Sequence, residues 1–190
     1  MIPMYKYIFW DWHGVLGLRG FWHIASETDP DLKDFVESVF SSQATVDSWM
    51  RGETSLAQLI HKYELNKSEH DMLMVLRHDW QEMGAINQRL FSTISSLYPG
   101  TNHIITTDNM DIFSDYAQAD QFIRDNFTKI YNSYEIKALK GDAPGLFEYA
   151  MADLGLVSFK DCLLLDDSPQ NCERFTSLGG ESILITKGQA

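Results

Sequence analysis

Residues 5–16 read YKYIFWDWHGVL, and the change of character inside this stretch decides the fold. Residues 5–10 are mostly aromatic and β-branched, which predicts a strand. The run stops at Asp11, and Gly14 supplies the turn that follows. The same sequence of events recurs downstream. Residues 103–106, 162–165 and 182–186 predict further strands, with a weaker one at 129–131. Between them the spacing predicts helices near 115–125, over 144–154 and over 170–178. Strand and helix in alternation imply an α/β fold, a Rossmann-like parallel sheet with helices on both faces.

One connection is too long for that scheme. A crossover between parallel strands needs about a dozen residues, whereas about ninety separate the first strand from His103. The excess has its own helical periodicity. Asp29-Pro30 opens a helix with Leu32, Phe35, Val36, Val39 and Phe40 at helical spacing. Ser55 caps another, with Leu56, Leu59, Ile60 and Tyr63 on one face. A third runs through Met72, Leu73, Leu76 and Trp80, and a fourth over 85–98 is stopped by Pro99-Gly100. The expected organisation is a Rossmann-like core of residues 1–17 and 84–190 with an α-helical cap, 18–83, inserted into it.

Composition narrows the partners. Of 190 residues, 44% are hydrophobic and 22% charged, an ordinary globular balance. Fifteen Lys and Arg against 27 Asp and Glu give a net charge of −12, which argues against nucleic acid or an anionic membrane as a partner. Such a charge suits a site that holds a cation. Cys162 and Cys172 form no CxxC pair and no disulfide framework, and Cys162 reads as a small buried hydrophobe. No apolar stretch reaches membrane-spanning length, and charges come too early for a signal peptide, so a cytoplasmic protein is expected.

In open α/β sheets ligands bind beyond the carboxyl ends of the strands. After the first strand comes Asp11; after the second, Thr106, Thr107, Asp108 and Asn109; after residues 162–165, Asp166, Asp167 and Ser168. Lys140 lies in the loop before the Pro144 helix. Carboxylates at one edge repel one another unless a cation sits among them, while Thr107 and Lys140 suit an anion. A Mg²⁺ beside a phosphoryl group explains both, because Mg²⁺ combines one or two carboxylates with phosphate oxygens. A carboxylate there can also be a nucleophile. No GxxxxGK[ST] or GxGxxG loop is present, so neither a P-loop nor a dinucleotide site is supported.

These residues resemble the haloacid dehalogenase (HAD) superfamily of Asp-nucleophile hydrolases over nearly the whole chain. The first motif is similar to Asp11-Trp12-His13-Gly14-Val15-Leu16, and the second to Thr107 in IITTDN. The third resembles Lys140 in ALKGDAPGLFEYA, and the fourth Asp166-Asp167-Ser168 with Asn171 in LLLDDSPQNCERF. Trp49-Met50-Arg51-Gly52-Glu53-Thr54-Ser55 looks like a stretch that recurs in the family's cap.

The resemblance implies a Mg²⁺-dependent phosphatase acting on a small phosphorylated molecule through an aspartyl-phosphate. Asp11 would be the nucleophile and would share Mg²⁺ with Asp167 and the backbone carbonyl of His13, with Asp166 in support. Thr107, Asp108 and Lys140 would bind substrate, and Lys140 would also serve catalysis. Phe21, Trp22 or His23 would close over the leaving group. Two positions depart from the family pattern. Asn171 replaces a frequent Asp, which implies a weaker hold on the metal. His13 replaces the usual second Asp, the acid and base of the phosphatases. Three readings of His13 stand side by side. It takes over acid–base work, for which an imidazole pKa near ~6.5 is suited; or the chemistry is dehalogenase- or phosphonatase-like and needs no acid; or the site only binds a phospholigand.

Overall fold

The computed structural model describes residues 5–82 and 86–186. The expected boundary at residue 84 and the expected start of a helix at 85 lie outside the described residues. Strand β1 (Tyr7–Trp10) is followed by five helices: α1 (Ala25–Thr28), α2 (Pro30–Phe40), α3 (Gln43–Met50), α4 (Leu56–Lys62) and α5 (Glu69–Glu82). Helix α6 (Gln88–Leu97) leads into β2 (Asn102–Thr107), α7 (Asp111–Ala119) and α8 (Gln121–Asn126). Then come β3 (Lys129–Asn132), α9 (Ser133–Ile136), α10 (Leu146–Asp153), β4 (Cys162–Asp166), α11 (Pro169–Ser177) and β5 (Glu181–Leu184).

The five strands form one parallel sheet in the order β3-β2-β1-β4-β5. Side chains alternate across it, as the two-residue period of a strand demands. Ile8, Trp10, Ile105, Leu163 and Leu165 join one apolar cluster, while Phe9, Ile104, Cys162 and Leu164 join another on the opposite face. The second cluster is closed by Phe147, Phe159 and Phe175. The first continues without a break into the helices between β1 and β2, through Trp12, Trp22, Phe35, Trp49 and Trp80. The two cysteines are buried and unpaired. Among the described residues no helix is long and apolar enough to cross a membrane.

Local chemistry explains the helix starts. Asp29 accepts the Leu32 N–H at 3.1 Å with Pro30 in the first turn, and Ser55 and Gln58 form a capping box. The expected single helix near 115–125 is two. The α7 run ends at Asp120, whose backbone is extended and whose carboxylate accepts the Ile123 N–H at 2.9 Å to start α8. Pro144 does not open α10, which begins at Leu146 with Glu148 bonded back to the Gly145 N–H at 2.9 Å. Helices α1, α3 and α9 are additions to the expected set.

Candidate active site

In the β1–β4 pairing Trp10 is level with Leu165, and the Asp11 N–H donates to the Leu165 carbonyl at 2.9 Å. Asp11 therefore leaves β1 beside Asp166 at the end of β4. Lys140 reaches the same point from the loop between α9 and α10. Its Nζ stands 2.6 Å from Asp11 Oδ1 and 2.7 Å from Asp166 Oδ2. All three residues are buried. The backbone of Lys140 is held as well, because its N–H donates to Asp108 Oδ1 at 2.9 Å. Asp166 also accepts the Ser168 N–H at 2.9 Å and the Asn171 side-chain amide at 3.1 Å. Asn171 thus orients Asp166.

Oxygens of Asp11, Asp166 and Asp167 all lie within 4.8 Å of one another. Gly14 makes room for the third. Its φ is +81°, and a Cβ there would stand 2.2 Å from Asp167 Oδ2, so both the turn and the approach require glycine. Three carboxylates face one ammonium. Burial is the largest influence on Asp11 and raises its pKa to about 7; Lys140 pulls it down while Asp166 and Asp167 push it up. Burial works against charge on Lys140, but Asp11, Asp166 and Asp108 outweigh it and hold the amine protonated. Burial first, and then Asp166, also raise Asp167. A donor set made wholly of carboxylate oxygens, in surplus over the one cation, fits a hard divalent ion. Octahedral Mg²⁺ spans roughly 4 Å between opposite ligands, inside the 4.8 Å within which these oxygens lie.

The expected residues are not all equivalent. Thr107 ends β2 one position past the level of Asp11, is buried, and accepts the Asn109 amide at 3.2 Å. The exposed imidazole of His13 is outside the carboxylate cluster. It lines a cavity of about 460 Å³ together with Asp108, Asn109 and Met110. Phe21 and His23 line that cavity too. Trp22 does not: it is fully buried, and its indole N–H donates to the Met72 carbonyl at 2.8 Å.

One ion pair beside the site is not visible in the sequence motifs. Both terminal nitrogens of Arg51, at the end of α3, donate to the two oxygens of Asp142, and the Asp142 carboxylate also accepts the Leu139 N–H at 2.8 Å. This closes the turn that carries Lys140. Two further links tie the end of α3 to the starts of α9 and α7: Ser133 Oγ donates to the Met50 carbonyl at 2.8 Å, and the Trp49 indole to Asp111 at 2.8 Å. Arg51 and Asp142 are 91 residues apart, and no local spacing connects them.

No known family model and no curated protein matches the chain. Solved structures do. A predicted HAD-like family hydrolase from Porphyromonas gingivalis superposes with a TM-score of 0.71 at 19% identity, over 97% of this chain and 93% of that one. A HAD family enzyme from Bacteroides thetaiotaomicron, solved with magnesium and inorganic phosphate, gives 0.69 at 17% identity over 98% and 96%. The L-2-haloacid dehalogenase of Xanthobacter autotrophicus gives 0.63 at 15% identity over 94% and 76%. The chain has the fold of the HAD-like hydrolases.

Proposed function

We propose that the protein is a Mg²⁺-dependent phosphatase of small phosphorylated metabolites in the cytoplasm, with Asp11 as nucleophile. The observation that carries this reading is the buried Lys140 ammonium bonded at once to Asp11 and Asp166 beside the third carboxylate of Asp167. A nucleophile, an anion-binding amine and a cation-binding cluster then share one strand edge. The Bacteroides enzyme of the same fold, with magnesium and inorganic phosphate bound, supports the same choice of ligands.

Asp11, Asp166 and Asp167, with the His13 carbonyl, would hold the Mg²⁺, which supplies positive charge to the phosphoryl oxygens. Thr107 and Lys140 bind the same phosphoryl group and orient it toward Asp11. One Asp11 oxygen forms a bond to phosphorus, and the bond from phosphorus to the alcohol oxygen breaks. His13, exposed on the cavity side, gives its proton to the leaving oxygen. In the second half-reaction the imidazole takes a proton from water. The hydroxide bonds to phosphorus, the bond to Asp11 breaks, and phosphate leaves with the carboxylate restored. The helices between β1 and β2 act as the cap that limits access of water and selects the alcohol.

Hydrolysis of p-nitrophenyl phosphate with and without Mg²⁺ tests the reading. Release of nitrophenol that needs Mg²⁺ is expected. Inertness toward phosphoesters together with turnover of a haloacid without metal would overturn it.

A further inference from the structure

The cavity over the strand ends has two unlike sides. Toward the sheet it meets His13, Asp108 and Asn109, and Asp108 bonds directly to the backbone of Lys140. Toward α1–α3 it meets Phe21, Val36, Phe40, Val46 and Met50. None of these five is fully buried: Phe21, Val36, Val46 and Met50 are half-buried against the core, and Phe40 is 38% exposed. Their helix neighbours behave differently, since Leu32, Phe35, Val39 and Trp49 all go into the core. Helix α2 is therefore apolar on two sides: Leu32, Phe35 and Val39 fill the core, while Phe40 and the half-buried Val36 also line the cavity. Apolar side chains left open in a concave site mark where an apolar ligand gains by covering them.

Polar groups on that side are few. The Ser26 hydroxyl already donates to the His23 carbonyl at 3.1 Å, and His23 Nε2 lies 3.5 Å from an Arg19 nitrogen. Among the described residues the lining contains no Lys or Arg. A polyhydroxylated leaving group would lose water against Phe, Val and Met without gaining partners. A leaving group with a second phosphate or a carboxylate would find neither an ammonium nor a guanidinium among the described lining residues.

Resting on the phosphatase reading, we infer that the alcohol half of the substrate is uncharged and apolar, an aryl or alkyl group that lies against Phe21, Phe40 and Val46. The volume of about 460 Å³ suits such a group, within the roughly 300–1,000 Å³ typical of small-molecule sites.

Calorimetric titration of the whole protein in Mg²⁺ tests this with three non-hydrolysable or product probes: phenylphosphonate, 2-hydroxyethylphosphonate and inorganic phosphate. Burial of one ring predicts that phenylphosphonate binds about tenfold or more tightly than the hydroxyethyl compound. Phe40→Ala, at an exposed position, and Val46→Asn each reduce that ratio by about threefold or more. A ratio near one, or a ratio that neither substitution changes, overturns the inference. Failure of all three probes to bind overturns the phosphatase reading itself, and the inference falls with it.

Discussion

The ammonium of Lys140 donates to Asp11 across 2.6 Å, with the lysine side chain wholly shielded from solvent. The pair belongs to a larger imbalance, because Asp166 shares the same ammonium at 2.7 Å. Removing the amine leaves two buried carboxylates facing each other. Lys140→Ala is therefore expected to lower unfolding free energy by about 3–5 kcal/mol and to abolish turnover. Mg²⁺ is expected to return part of that stability, since it replaces the lost positive charge. Urea unfolding at neutral pH, with Mg²⁺ or with a chelator, measures both effects. An unchanged unfolding midpoint would contradict the assigned burial of charge.

The same burial makes stability depend on pH. Asp11 is raised from an ordinary 3.8 to about 7, first by desolvation and then by its acidic neighbours, against the opposing pull of Lys140. Around pH 5–6 the native state holds a proton that the unfolded chain has released. Protonation thus favours folding, and this contribution is complete below 3.8 and lost as pH climbs through about 7. Burial raises Asp108 and Asp167 in the same direction. In chelator, the urea midpoint is expected to fall between pH 5.5 and 8. Mg²⁺ is expected to stabilise the protein more at pH 8 than at pH 5.5, and Asp11→Asn to flatten the slope.

The exposed imidazole of His13 lines the cavity beside the carboxylate cluster, near enough for its charge to act on Asp167. An acid–base role there predicts that His13→Ala lowers kcat by about 10²-fold or more with a poor leaving group. The loss is expected to be smaller with p-nitrophenyl phosphate, whose leaving group needs little protonation. His13→Asp is expected to keep or raise the rate and to shift the pH–rate profile. An unchanged rate and profile in His13→Ala would remove the imidazole from the reaction.

Arg51 acts at one remove, through the turn that carries Lys140. Its side chain and that of Asp142 are about a third exposed, so Arg51→Met is expected to cost only about 1 kcal/mol or less of stability. A positioning role predicts a larger effect on catalysis, seen as a fall in kcat with KM little changed, and partial recovery in Arg51→Lys. Asp142→Asn is expected to behave alike, and the double variant to be no worse than either single one. Equal and additive losses in stability, with kcat intact, would make the pair merely structural.

The strands and the charged residues at their ends were legible because each is a local pattern. Asp11 follows YIFW, and Asp166 closes CLLLD, whatever the rest of the chain does. Parallel pairing then sets such ends at one edge. Asp120 was harder to read, because its side chain ends one apolar face and caps the next helix without a gap in periodicity. Helix α3 leaves little trace in the sequence for another reason: of QATVDSWM only Trp49 is buried, so it has little amphipathic pattern to read. The Arg51–Asp142 contact depends on how the inserted helices settle against the Lys140 turn, which no spacing reports. Nor does periodicity separate Val36 and Phe40 from Phe35 and Val39. All four sit on apolar positions of α2, and only packing tells which pair is fully buried.

In the proposed reaction Asp11 would carry the phosphoryl group covalently between the two half-reactions. Rapid quenching of the enzyme during turnover of p-nitrophenyl phosphate in Mg²⁺, followed by peptide mass analysis, tests it most directly. One transient phosphoryl adduct, on Asp11, is expected, with neither adduct nor turnover in Asp11→Asn. Undiminished hydrolysis by Asp11→Asn, or an adduct on another residue, would contradict it.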